Sequence, residues 1–228
     1  MNWSVFPCGD SAVTIQIGNA ISEAVNREVV AVVRALQARQ LPGILEIVPS
    51  YCAVTVHYDP LLLSYEQLTD ALHRLDVMTD DMQPYVQRIV QIPVCYGGVF
   101  GPDLGFVAQH NGLTEEEVIQ RHSNGLYLVY MLGFLPGFAY MGGMDESITC
   151  PRLTTPRTKI PAGSVGIAGA QTGVYPLDSP GGWQLIGRTP LKMFAINDDQ
   201  AGFTLSAGDH VRFVPISEER YRELEGTV

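Results

Sequence analysis

The sequence predicts two domains, a small α+β domain over residues 1–84 and a mainly β barrel domain over residues 85–228. Three observations carry this. Before residue 80 the apolar positions switch between the period of a strand and that of a helix. After Gly125 the apolar runs are short and broken by Gly and Pro, with no helical pattern until the tail. Between the two lies DVMTDDMQP, residues 76–84, which is acidic, poor in apolar residues and closed by a proline, the composition of a linker.

Each element follows in order. Ala12–Ile17 puts Val13, Ile15 and Ile17 on one face, as a half-buried strand does. Ser22 caps a helix whose Val25, Val29, Val32, Val33 and Leu36 recur at helical spacing, and Pro42-Gly43 ends it. Ile44–Val48 and Ala53–Tyr58 read as a strand pair. Ser64 and Gln67 form a capping box ahead of Leu68, Ala71, Leu72 and Leu75. Arg88–Val94 is expected to complete a small sheet with two helices on one face, ferredoxin-like in type. GGVFGPDLG, residues 97–105, leads into a short helix, and Thr114 with Glu117 caps the next, TEEEVIQRHS. Ser123–Met144 carries no charge, but Pro136 and Gly133, Gly137, Gly142 and Gly143 interrupt it. It therefore reads as a buried strand over Leu126–Leu132 followed by an irregular apolar loop, not as a membrane span. Ser164–Ile167, Gln184–Ile186, Met193–Ile196 and Val211–Val214 supply strands of a closed or nearly closed barrel, and Ser217–Leu224 a terminal helix.

Composition excludes several roles. A net charge of −10 argues against nucleic acid, whose phosphates demand a basic face. Cysteines 8, 52, 95 and 150 lie far apart, without CxxC spacing or a signal peptide, and read as reduced, mostly buried thiols of a cytoplasmic protein. The five histidines form no HxxH or HxxxH pair, so no metal site is expected. No GxxxxGK[ST] loop occurs. AGSVG at 162–166 resembles a nucleophile elbow, but IAGAQTGVYP after it cannot form the required helix.

One segment stands apart in charge. From Ser147 to Asn197 the only acid is Asp178, against Arg152, Arg157, Lys159, Arg188 and Lys192. In CPRLTTPRTKIP each arginine follows a proline, which stiffens the backbone that presents it. Arg152, Arg157 and Lys159 are thus expected to clamp a small anion, a carboxylate or phosphate, by charge-assisted hydrogen bonds. A barrel-edge strand with arginines in solvent is the plainer alternative.

GFLPGFAYMGG, PRLTTPRTKIPAGSVGIAGAQTGVYPLDSPGGWQLIGRTP and LSAGDHVRFVPI, together with IPVCYGGVFGPDLGFVAQHNGLTEEEVIQRHS, resemble the 5-oxoprolinase B-subunit family. That family also takes in allophanate-hydrolase-type first subunits, a sporulation-kinase inhibitor and the C and D subdomains of carboxyltransferase domains. The resemblance implies a ferredoxin-like domain followed by a cyclophilin-like barrel. It implies ATP-dependent opening of 5-oxo-L-proline to L-glutamate, with ATP and magnesium as co-substrate. A second cyclophilin-like barrel subunit and a hydrolase-like third subunit would share the work. Gly137, Phe138 and Tyr140 would form an apolar wall, Gln171, Thr172 and Tyr175 would hydrogen-bond the lactam or phosphate, and His122 would act in proton transfer or merely pack at its helix end. Two alternatives stay open. One is a regulator of a histidine kinase. The other is a carboxyltransferase-type subunit acting on a urea-like substrate, although neither Lys159 nor Lys192 lies between two methionines as a biotinyl-lysine would.

Overall fold

Apolar alternation and capping build the first unit. The structure, a computed structural model, describes residues 3–75, 77, 88–197 and 200–225. Strands β1 (Ser4–Pro7) and β2 (Ala12–Gln16) precede helix α1 (Glu23–Arg39), and β3 (Ile44–Pro49) and β4 (Ala53–Tyr58) precede α2 (Tyr65–His73). Ser22 caps α1 by accepting from the Val25 N–H, and Ser64 and Gln67 make the reciprocal bonds of a capping box on α2. The four strands form one antiparallel sheet in the order β1-β2-β4-β3. Register pairs Val13 with Val56 and Ile15 with Val54, so all four valine and isoleucine side chains share a face. Val29, Val32 and Leu36 of α1 and Leu68 and Leu72 of α2 cluster with them, each essentially without exposure.

The second unit is a ring. Its elements are β5 (Ile89–Tyr96), α3 (Leu104–Asn111), α4 (Glu115–Asn124), β6 (Tyr127–Leu132), β7 (Ala139–Gly142), β8 (Arg157–Ile160), β9 (Ser164–Ala168), β10 (Gln171–Val174), β11 (Ser179–Gly181), β12 (Gln184–Arg188), β13 (Phe194–Asn197), β14 (Gln200–Phe203), β15 (His210–Pro215) and α5 (Glu218–Glu225). Seven strands close in the order β10-β7-β6-β15-β5-β12-β9. A ring with an odd number of strands cannot alternate direction all the way round, so one neighbouring pair must be parallel. Here that pair is β15 with β5, joining His210–Pro215 to Ile89–Val94. Ile92, Val94, Val129, Met141, Ile167 and Phe213 fill the interior. The loop before α3 rides directly on β12: a Cβ on Gly101 would lie 2.0 Å from the Ile186 carbonyl oxygen, so only glycine fits.

Contacts divide the chain into Met1–Val86 and Gln87–Val228. The linker expected over 76–84 lies, apart from Val77, outside the described residues. The structure corrects three expectations. The run at 88–94 does not complete the N-terminal sheet, because as β5 it pairs with β15 and β12 in the barrel, and the edge beside β2 is taken by β1. The apolar loop after β6 contains a barrel strand, β7. The run at 193–196 stands outside the ring as β13, which pairs with β14. Cys95 and Cys150 are buried, Cys8 is exposed and all four thiols are free. Among the described residues no helix is long and apolar enough to cross a membrane.

Candidate functional site: an aromatic pocket beside the barrel

Phe138 organises the site. It follows Gly137, whose φ of +84° and near contact with the Met193 carbonyl oxygen (3.0 Å from where a Cβ would sit) leave room only for glycine. That turn points Phe138 inward, 2% exposed, among four edge-to-face partners. Its ring centroid lies 5.0 Å from Tyr140, 5.4 Å from Tyr175, 5.5 Å from Trp183 and 5.7 Å from Phe134. Phe134 itself takes a left-handed φ of +69° and is 63% exposed, a backbone strain that non-glycine residues seldom accept outside functional loops. These rings line a pocket of 280 Å³ whose single charged residue is Arg152.

The three expected cations part company. Among the described residues the Arg152 guanidinium makes no hydrogen bond and no ion pair. Arg157, by contrast, donates from Nη2 to Asp103 Oδ1 at 2.7 Å, while Asp103 Oδ2 accepts from the Leu185 N–H at 2.6 Å. Lys159 sits on the exposed side of β8, 2.9 Å from Asp178. Arg157 still acts on the site at a distance. Burial raises the Tyr175 phenol above its ordinary value, and the charges of Arg152 and Arg157 pull the other way.

His122 and Thr172 lie in the barrel core instead. His122 has no exposure and stacks on Phe213 at 4.5 Å. Its Nδ1 is 2.7 Å from the Tyr96 hydroxyl and its Nε2 is 2.8 Å from Thr172 Oγ1. The Thr172 hydroxyl spends its one proton on the Gly166 carbonyl, so it accepts from the ring, which fixes the proton on Nε2 and leaves Nδ1 to accept from Tyr96. Burial drives the His122 pKa from 6.5 to about 3. A histidine locked neutral with both nitrogens engaged is a core tie, and this geometry gives no support to proton transfer at His122 or to substrate contact by Thr172. Gln171 is half-buried at the start of β10, with a partner of its own.

The buried histidine makes stability acid-sensitive. Between pH 6.5 and about 3 the unfolded chain binds a proton at His122 that the folded chain refuses. Stability is therefore full above pH 6.5 and falls with acidification, by up to about 1.4 kcal/mol per pH unit. Denaturant melts from pH 7.5 to 4.5 should give a steeper loss for the native chain than for His122→Asn. Parallel curves would refute the assignment.

Glu115 packs against GGVFGPDLG and the first turn of α3. A Cβ on Gly105 would lie 3.0 Å from Glu115 Oε1, and one on Gly97 3.8 Å from Oε2, so the loop already faces a carboxylate. Sequence reasoning missed Phe134, Trp183 and Asp103. The GGW at 181–183 was the available signal for Trp183, a large ring set directly after two residues that leave space in front of it.

The seven-stranded barrel thus carries beside it a small aromatic pocket whose one charged residue, Arg152, has no ion pair among the described residues. The family described as carboxyltransferase domain, subdomain C and D, matches residues 3–204, and the chain belongs to it. The 5-oxoprolinase B-subunit of Bacillus subtilis (strain 168) is 47% identical over 97% of this chain and 96% of its own length. The solved structure of TTHA0988 is 37% identical with a TM-score of 0.79, covering 90% of this chain, which spans only 40% of that one. The Kluyveromyces lactis urea amidolyase shares the fold, with a TM-score of 0.78 at 19% identity over 97% of this chain and 15% of that chain.

Proposed function

We propose that this chain is the B-type component of an ATP-dependent 5-oxoprolinase and works in the cytoplasm, with the barrel of cyclophilin-like type and the first unit a ferredoxin-like sheet in which β1 takes the usual last strand's edge. The relatives' names support the activity. The observation that carries it to a site is Arg152, which lines an aromatic pocket and has no ion pair among the described residues. A carboxylate substrate gives that guanidinium its counter-ion, whereas a urea-like substrate is neutral and leaves it bare. The chemistry requires activation, because a lactam carbonyl is a poor electrophile. Phosphoryl transfer from ATP to the lactam oxygen releases ADP and makes C5 attackable by water; the ring C–N bond then breaks to leave a γ-glutamyl phosphate, and a second water releases glutamate and phosphate. The sequence has no GxxxxGK[ST] loop, and in this reading ATP and magnesium are held with help from a second cyclophilin-like barrel subunit and a hydrolase-like third subunit.

The test is reconstitution. With ATP, magnesium and 5-oxo-L-proline, the chain alone should release no glutamate, and the three subunits together should release glutamate and phosphate in equal amounts. Glutamate from this chain alone would overturn the shared site. None from any mixture would overturn the 5-oxoprolinase reading and favour a regulator of a histidine kinase.

A further inference from the structure

We propose that the Phe138 pocket is the seat of the lactam substrate, and that this chain takes up 5-oxo-L-proline with neither nucleotide nor partner bound. The inference rests on the 5-oxoprolinase reading but can fail separately from it.

Size, charge and hydrogen bonding agree. The pocket holds 280 Å³, just under the range of roughly 300–1,000 Å³ that suits drug-sized ligands. That is room for a five-membered ring with one carboxylate and too little for a nucleoside triphosphate. Charge selects in the same direction. One free guanidinium matches one carboxylate, while the neighbouring cations Arg157 and Lys159 already hold Asp103 and Asp178. The walls suit a saturated ring, since Phe138, Tyr140 and Trp183 present aromatic surface to its methylenes.

The remaining polar group is Tyr175. The Trp183 backbone N–H pulls its pKa down against burial, and its hydroxyl makes no hydrogen bond among the described residues. The residue is 2% exposed and lines the pocket. Burial keeps the phenol protonated. A lactam carbonyl is the acceptor this donor lacks, and a carboxylate on Arg152 with the carbonyl at Tyr175 fixes the ring at both ends.

The pocket contains its own reporter. The chain has two tryptophans, Trp3 in the first unit and Trp183 in the pocket. In a Trp3→Phe background, emission from Trp183 should change saturably with 5-oxo-L-proline in the absence of ATP and partners. Arg152→Ala should weaken binding about 100-fold and Tyr175→Phe about tenfold. 2-Pyrrolidone, which lacks the carboxylate, should bind the native pocket as weakly as 5-oxo-L-proline binds the Arg152→Ala pocket, and should be indifferent to that substitution. Magnesium–ATP should leave the emission unchanged. Saturation-transfer NMR on the unsubstituted chain gives the same ranking without the Trp3 change. No saturable response to 5-oxo-L-proline, a response that survives Arg152→Ala, or competition by ATP would each overturn the assignment. Failure here with an active three-subunit mixture leaves the 5-oxoprolinase reading standing, whereas binding here with no glutamate from any mixture removes that reading and keeps the pocket.

Discussion

Replacing Arg152 by alanine should lower kcat/KM of the reconstituted three-subunit enzyme for 5-oxo-L-proline by about 100-fold, since a charge-assisted hydrogen bond contributes about 1.5–3 kcal/mol. The melting temperature should stay within a degree or so, because an exposed guanidinium without an ion pair holds nothing else in place. Arg152→Lys should recover part of the loss, as it restores the charge without the planar fork. Native kinetics in Arg152→Ala would remove Arg152 from the site. The same substitution at Lys159 breaks only a surface pair with Asp178, and its effect on rate should be within twofold.

Asp103→Ala should act on stability instead. Asp103 ties three elements at once: it precedes α3, its Oδ1 accepts from Arg157 at the start of β8, and its Oδ2 accepts from the backbone N–H of Leu185 on β12. Truncation leaves the Arg157 charge and a strand N–H unpaired in a largely dry setting, and Nη1 of Arg157 is already buried without a partner. The cost should be about 3 kcal/mol, read as a fall in melting temperature of roughly 10 °C. Asp103→Asn, which keeps acceptor capacity but not charge, should fall between. A melting curve unchanged in Asp103→Ala would show that the tie contributes nothing net.

The cations illustrate how far sequence could reach. Proline spacing and composition marked CPRLTTPRTKIP as a basic segment, but charge is a property of partners as much as of residues. Arg157 and Asp103 are distant in sequence, and no local pattern announces their pairing. Lys159 and Asp178 meet only because β8 pairs with β11. What was legible was local: the caps at Ser22, Ser64 and Thr114, and strands whose period needs only their own residues. What was not legible was pairing. The apolar run at 88–94 reads equally well as the edge of one sheet or a stave of another, and its placement is decided by residues 210–215 at the far end of the chain. His122 left packing and proton transfer both open for a related reason. Its neighbours Tyr96, Thr172 and Phe213 come from three separate strands, so a core contact looked in sequence like a solitary reactive group.

The parallel seam between β5 and β15 also bears on how the protein is made. The sheet of the first unit pairs residues no further along than Tyr58, so it can form while most of the chain is still on the ribosome. The ring cannot. Its first strand waits, with a full row of unmet N–H and C=O groups on one side, until residues 210–215 emerge. Closure thus waits for every other strand of the ring and is the slowest to search, because the contact it makes spans residues 89 to 215. Loss of β15 would leave β5 and β6 as open edges in a chain whose first unit is already folded, and such a nascent product is a template for aggregation and a substrate for quality control.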